Sequence, residues 1–181
     1  MKVAIIGAGN MGGSIARGLA QGTLVKSQDI TVSDPSLDKL NQLKSDGAGI
    51  TVTTDNQKAI QDADVVFLVV KPWLVAEVLK KLTFTEKQAL VSVAAVVEIK
   101  DLDSFLNQPI IVYRMIPNTA ISELASVNLL ATHNAPELLT QTLLAILEEM
   151  GMAMLIPESQ LGAATALTSC GIAYVLKYIE A

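Results

Sequence analysis

Six residues near the start of the chain have the types and spacing of a phosphate-binding loop. The run Gly7-Ala8-Gly9-Asn10-Met11-Gly12 follows a short apolar stretch of strand character and precedes a helical pattern. In this strand–turn–helix context the motif is typical of dinucleotide binding. Gly7 permits the tight turn, Gly9 lets the backbone approach a diphosphate, and Gly12 lets the helix pack against the strand. The free N–H groups and positive dipole at the helix start would then hold the diphosphate of NAD(P).

A second candidate is Asp34, which ends the next strand-like run. A carboxylate at this position, about 20 residues beyond the glycine loop, accepts hydrogen bonds from the adenosine ribose and repels a 2′-phosphate. The following residues, Pro35 to Asp38, include no arginine, so the local chemistry favours NAD over NADP. The alternative is a turn-forming Asp-Pro pair that contacts no ligand, because both residues are common in turns.

The elements that must position these residues alternate along the chain. Runs without polar alternation are typical of strands buried on both faces, and here they are Lys2–Gly7, Asp29–Ser33, Ile50–Val52, Val65–Val70, Ala89–Val93 and Ile110–Arg114. Helical patterns lie between them, one of them opened by Pro72. The series predicts an α/β fold of the Rossmann type, a doubly wound and mostly parallel sheet with right-handed crossovers.

The second half of the chain departs from the regular alternation of strands and helices. A loop at residues 115–120 precedes a predicted strand at Val127–Ala131, a helix at Pro136–Met150 and a short strand at Ala153–Ile156. Residues 159–181 have a helical composition with no stop signal at the end, which favours a helix that is cut short.

Composition limits the classes of function. The net charge of −5 argues against a nucleic-acid or anionic-membrane partner, which would need clustered Lys and Arg. The apolar runs are much shorter than the roughly 20 residues that span a bilayer. The single cysteine, Cys170, cannot form an internal disulfide, and with one histidine, His133, no zinc set is recognisable. We therefore expect a soluble cytoplasmic protein.

Further segments resemble the Δ1-pyrroline-5-carboxylate reductase family of proline biosynthesis over nearly the whole chain. The matching segments are residues 3–12, residues 55–56 with 63–72, Arg114–Thr119, and Ala164–Tyr174. The Val-Lys-Pro and Pro-Asn-Thr elements are the more specific. The resemblance implies NAD(P)H-dependent reduction of a cyclic imino acid to proline, commonly with NADP, in a homodimer or larger homo-oligomer formed through the C-terminal helix.

The resemblance also implies further site residues. Asn56 would contact the adenosine side, and the backbone of Val69, Val70, Lys71 and Pro72 would line the cofactor. The segment with Ser92, Ala94 and Ala95 would pass the nicotinamide, and Asn118 would lie near its ring. The side chain of Lys71 could instead be a solvated lysine, and Asn118 could be only a turn former after Pro117.

No catalytic residue is assigned by the sequence. A protonated imine is already electrophilic, so the protein has only to hold donor and acceptor in contact and exclude water. His133 is interpreted as a surface turn residue, and Cys170 as a small residue in helix packing. By the resemblance, residues 1–157 form the NAD(P)-binding domain and residues 158–181 begin a helical dimerisation domain that is incomplete in this chain.

Departures from the family pattern cluster on the substrate side. Ile116, Ala120 and Val96 replace the usual Met, Pro and Gly, and Ser169–Ile172 replaces Gly-Ser-Gly-Pro. The family's Ser-Pro-Gly-Gly loop, which holds the substrate carboxylate, has no counterpart before Ala181. Three alternatives for the chain therefore stay open. It is part of a longer reductase, or it is a short non-catalytic dinucleotide-binding module. The third alternative is a reductase of another substrate with a similar N-terminal domain, such as a hydroxyacid dehydrogenase or a deazaflavin-linked enzyme.

Overall fold

Short aliphatic and β-branched runs form the strands of an eight-stranded sheet. The computed structural model describes residues 1–46 and 49–181. The strands are β1 Val3–Ile6, β2 Ile30–Ser33, β3 Thr51–Thr53, β4 Val65–Leu68, β5 Ala89–Ser92, β6 Ile111–Ile116, β7 Ser126–Thr132 and β8 Gly151–Leu155. All eight predicted strands are thereby confirmed, with shifted ends.

The strand order is β3-β2-β1-β4-β5-β6-β7-β8. Strands β1 to β6 are parallel, β7 is antiparallel to β6, and β8 is parallel to β7. The first six strands have the Rossmann order, which confirms the predicted doubly wound, mostly parallel sheet. Successive strands are added on one side of β1 up to β3 and on its other side from β4 onward, so the strand order reverses between β1 and β4. Ligands of such sheets bind at this point, outside the carboxyl ends of the strands.

Helices cover both faces of the sheet, since the strand residues point alternately to either side. The helices are α1 Asn10–Gln21, α2 Leu37–Ser45, α3 Asn56–Ile60, α4 Val75–Leu79, α5 Ile99–Phe105, α6 Glu137–Glu148, α7 Leu161–Thr165 and α8 Gly171–Ile179. Val3 and Ile5 of β1 belong to one buried cluster with Ile15 of α1 and Leu143 of α6. Ala4 and Ile6 join the opposite cluster, which includes residues of α3, α4 and α5.

Two short helices were missed by the sequence analysis because five to seven residues give little periodicity. Their start signals are present in the sequence. The Asp55 side chain accepts a hydrogen bond from the Lys58 N–H and begins α3. Glu98 and Asp101 form a reciprocal capping box at the start of α5.

The helical segment predicted at residues 159–181 is interrupted. A 3₁₀ turn at Glu158–Gln160 leads into α7, and a π-helical turn at Ala166–Cys170 separates α7 from α8. Leu161 is buried against Leu129 and Ala131 of β7. The apolar side chains further along are exposed, including Leu167, Val175, Leu176 and Ile179. Within residues 1–46 and 49–181, no helix has the length and apolar character that crossing a membrane requires.

Candidate functional site

The glycine loop lies between β1 and α1, at the carboxyl edge of the sheet. Gly7 has φ +107°, and a Cβ at this position would overlap the carbonyl oxygen of Val69, just after β4. A Cβ on Gly12 would overlap the Gly7 carbonyl oxygen. Both glycines are therefore required by the turn and by close packing, as the sequence predicted.

The start of α1 is open to a ligand. A Cβ placed on Gly9 would meet no atom within 4 Å. Among the described residues, no side chain caps this helix end, and its first turn, which includes Asn10 and Met11, holds no acidic residue. Ala8 is buried and its N–H is used within the protein. The remaining N–H groups at the helix start and the helix dipole can thus receive a diphosphate, so the loop fits NAD(P).

Asp34 joins the end of β2 to the glycine loop. One carboxylate oxygen, Oδ2, accepts the Ala8 N–H at 2.8 Å, and Oδ1 accepts the Ser36 N–H at 2.9 Å. The residue is 5% exposed. The bond to Ser36 confirms that Asp34 forms a turn, while the predicted contact with the ribose stays a prediction. The bond to Ala8 was not foreseen, because it joins residues that are distant in the sequence.

Asn56 lies beside the same strand end. Its Oδ1 accepts a hydrogen bond from the Ser33 hydroxyl at 2.7 Å, and the Ser33 carbonyl oxygen accepts the Gly7 N–H at 2.7 Å. The structure thus brings the glycine loop, Asp34 and Asn56 together around the ends of β1 and β2. This is the arrangement that an adenosine site at the first two strands requires.

The residues expected along the rest of the cofactor follow β4 and β5. Val69 and Val70 are half-buried, Lys71 is exposed, and Pro72 opens a 3₁₀ turn rather than an α-helix. The exposure of Lys71 agrees with the solvated-lysine alternative. The Ala94 N–H is 3.4 Å from the Ser92 hydroxyl, and Ala95 follows at the rim of a cavity.

That cavity, of about 660 Å³, lies between the residues after β5, the end of β6 and the segment from residue 158. Its apolar lining includes Ala95, Val96, Ile116 and Leu161, and its charged lining is Glu98, Arg114 and Glu158. Val96 has φ +59°, where its β-branched side chain is strained, and this is the position at which the family usually has glycine.

Arg114 and Glu158 form an ion pair at the wall of the cavity. Arg114 Nη1 is 2.8 Å from Glu158 Oε1, which also accepts the Ile99 N–H at 2.8 Å. The Arg114 side chain is 9% exposed, and its buried Nε has no hydrogen-bond partner within the described part of the chain. Neither residue was singled out as a site residue from the sequence. The available signal was an arginine inside an otherwise apolar strand.

Asn118 is buried, and both ends of its side-chain amide are occupied. Oδ1 accepts the Ala120 N–H at 3.0 Å, and Nδ2 donates to the Thr168 carbonyl oxygen at 3.2 Å. The turn-forming alternative is therefore confirmed, and the position of Asn118 near a nicotinamide stays a prediction. Its bond to Thr168 ties the π-helical turn to the sheet.

The two other candidates for chemistry lie outside the cavity lining. His133 is exposed in a bend after β7, 3.5 Å from Asp103, which agrees with its interpretation as a surface turn residue. Cys170 is exposed at the end of the π-helical turn, so the interpretation as a buried packing residue is wrong for this chain. Within residues 1–46 and 49–181, no three His, Cys, Asp or Glu side chains are grouped to hold a metal ion.

The strand order and the glycine loop at the switch point define a dinucleotide-binding domain of the Rossmann type. The family model described as "NADP oxidoreductase coenzyme F420-dependent" matches residues 2–96. The pyrroline-5-carboxylate reductase of Methanosarcina acetivorans is 33% identical over 99% of this chain and 67% of its own length. The corresponding enzyme of Pseudomonas aeruginosa is 35% identical, with the same coverage.

A solved structure of a pyrroline-5-carboxylate reductase has the same fold as this chain. The pyrroline-5-carboxylate reductase of Coxiella burnetii superimposes with a TM-score of 0.90 and 28% identity, over 99% of this chain and 67% of that one. The chain therefore belongs to the pyrroline-5-carboxylate reductase family. It spans 35% of the first Dictyostelium discoideum reductase and 63% of a Danio rerio reductase.

Proposed function

We propose that this chain takes part in the NAD(P)H-dependent reduction of the C=N bond of 1-pyrroline-5-carboxylate to proline. The observation that carries the proposal is the cavity of about 660 Å³, which begins at Ala95, in the segment expected to pass the nicotinamide. Family membership supports the choice of reaction, since the relatives named above are pyrroline-5-carboxylate reductases.

The chain's part in binding the cofactor begins at the glycine loop. The open N-terminus of α1 binds the diphosphate, and Asn56 is available on the adenosine side. The backbone of residues 69–72 and Ala94–Ala95 leads from the loop toward the cavity. When bound, the reduced nicotinamide supplies a hydride to the imine carbon.

The cavity offers complementary groups for a small imino acid. Val96, Ile116 and Leu161 line the cavity and offer apolar contact to the ring carbons, with the exposed side chain of Val96 at the rim. The guanidinium of Arg114, the one positive group of the described lining, is held in place by its ion pair with Glu158 and fixes this wall beside the substrate. Orientation and exclusion of water are sufficient contributions for a hydride transfer to a protonated imine.

The proposal is tested by mixing the chain with 1-pyrroline-5-carboxylate and NADH or NADPH and following the loss of reduced-nicotinamide absorbance. A longer form of the same protein, where one is encoded, is assayed in parallel. We expect saturable turnover that depends on the imino acid. Tight cofactor binding without turnover in either form would refute the reductase proposal and favour the non-catalytic module.

Arg114→Lys tests the substrate side. Lysine keeps the charge but loses the planar fork that pairs with carboxylates, so we expect a higher KM for the imino acid and an unchanged KM for the cofactor. Arg17→Lys is the matched control, since Arg17 lies on α1, pairs with Asp46 at the end of α2 and does not line the cavity. Equal effects of the two substitutions would remove Arg114 from the substrate site.

We further propose a homodimer formed through residues 158–181, the predicted beginning of the dimerisation domain. The support is the exposure of apolar side chains on α8, where Tyr174 is 75% and Ile179 73% exposed. Exposed apolar surface of this kind marks an association site. The cytoplasmic location stays a prediction.

A further inference from the structure

The adenosine end of the proposed cofactor site contains a lysine that the sequence analysis did not consider. Lys39 lies in the first turn of α2, and its Nζ is 3.5 Å from Asp34 Oδ2. The Lys39 side chain is 50% exposed, whereas that of Asp34 is 7% exposed. The charge that this pair presents to solvent, at the carboxyl end of β2, is therefore the ammonium group.

Asp34 is already engaged within the protein. Its two oxygens accept the N–H groups of Ala8 and Ser36, and Lys39 lies against the same carboxylate. These donors partly compensate its negative charge, so it opposes a second anion less than a free carboxylate would. The predicted repulsion between Asp34 and a 2′-phosphate requires a carboxylate that faces the ribose.

We propose that Lys39 is a specificity-determining residue that binds the 2′-phosphate of NADP(H), while Asp34 positions the glycine loop through Ala8. Lys39 supplies a mobile point charge beside the second strand, which suits a phosphate group. Asn56 lies at the same strand end, with its amide oxygen turned to Ser33. The inference rests on the cofactor half of the proposed function and is independent of the substrate.

The test is a fluorescence titration of the chain with NADPH and with NADH. Lys39→Ala removes a charge-assisted contact to the phosphate, so we expect NADPH to bind about tenfold more weakly. NADH binding should stay within about twofold, because NADH has no 2′-phosphate. Lys39→Arg keeps the positive charge and should therefore bind NADPH as tightly as the wild type. Lys44→Ala is the matched control, since Lys44 is an exposed lysine in the last turn of the same helix.

The salt dependence and a second variant examine the two roles separately. Added salt should weaken NADPH binding more in the wild type than in Lys39→Ala, because it screens the exposed charge. Asp34→Asn should weaken both cofactors alike, with thermal melting used to verify that the variant is folded. If Asp34→Asn bound NADPH more tightly and NADH as before, Asp34 would be shown to contact the ribose, and its positioning role would be overturned.

The other outcomes distinguish this inference from the proposed function. Equal losses of NADH and NADPH in Lys39→Ala, or no loss of either, would overturn the role of Lys39. Wild-type protein that binds NADH alone would also overturn it, while leaving the reductase proposal intact. Wild-type protein that binds neither cofactor would overturn both.

Discussion

Replacing Val96 by glycine should stabilise this protein. Val96 has φ +59°, a left-handed conformation that costs a residue with a Cβ about 1–2 kcal/mol. Glycine avoids this cost but gives the unfolded chain more freedom, which opposes the gain by about 0.4–1 kcal/mol. Val96 is 85% exposed, so little apolar burial is lost. The expected net gain in the free energy of unfolding is about 0.5–1 kcal/mol.

The gain is measured by urea and thermal unfolding of Val96→Gly beside the wild type. For a chain of this size it corresponds to a rise in Tm of about 1–4 °C. Val96→Ala is the control, because alanine retains a Cβ at the same φ and should gain less. Leu124→Gly is a second comparison, since Leu124 has φ +56° but is only 37% exposed and would lose packing.

A Val96→Gly variant that is no more stable than the wild type would refute this account of the strain. If strain is stored at Val96 because its side chain forms a wall of the cavity, the more stable variant should also have a higher KM for the imino acid. An unchanged KM together with higher stability would show that the side chain does not serve the substrate.

Three more predictions concern the loop, pH and association. Gly12→Ala should abolish NAD(P)H binding and lower the stability, because the alanine Cβ would overlap the Gly7 carbonyl oxygen. A variant that binds the cofactor almost normally in a fluorescence titration would contradict this. Burial raises the pKa of the Glu149 carboxyl, but hydrogen bonds from the Thr23 hydroxyl and two backbone N–H groups hold it below its usual value. Its stabilisation should be full above about pH 4.3 and lost as the pH falls through the lower folded-state pKa. Glu149→Gln should therefore lower Tm at neutral pH and lose this difference in acid, unlike the exposed control Glu148→Gln. Leu176→Glu should reduce self-association in sedimentation, and a wild type that is monomeric at high concentration would contradict the proposed dimer.

The local sequence pattern was sufficient to predict the sheet and its principal helices. Strands buried on both faces require continuous apolar runs, and α1 and α6 are long enough to show a clear apolar face. The glycine loop was predictable because its spacing is a recognised motif that directly follows a strand and opens a helix. Short helices such as α3 and α5 were missed, since their caps are the only local signal.

The polar contacts of the site were not predictable in the same way. Asp34 has the residue type that a ribose contact needs, but its oxygens bond to backbone groups whose position depends on the folded loop. Arg114 and Glu158 are 44 residues apart, and Asn118 and Thr168 are 50 apart. No periodicity encodes such pairs, because tertiary packing brings them together.

Those two long-range pairs bear on the division of the chain proposed at residues 157 and 158. Glu158 fixes Arg114, and the Thr168 carbonyl receives the Asn118 amide, so the C-terminal segment is fastened to the end of β6 at two points. Residues 158–165 also form part of the cavity wall. Removing this segment would therefore open the cavity and take away the carboxylate partner of the Arg114 guanidinium. The boundary read from the sequence thus separates the two sides of the proposed substrate site.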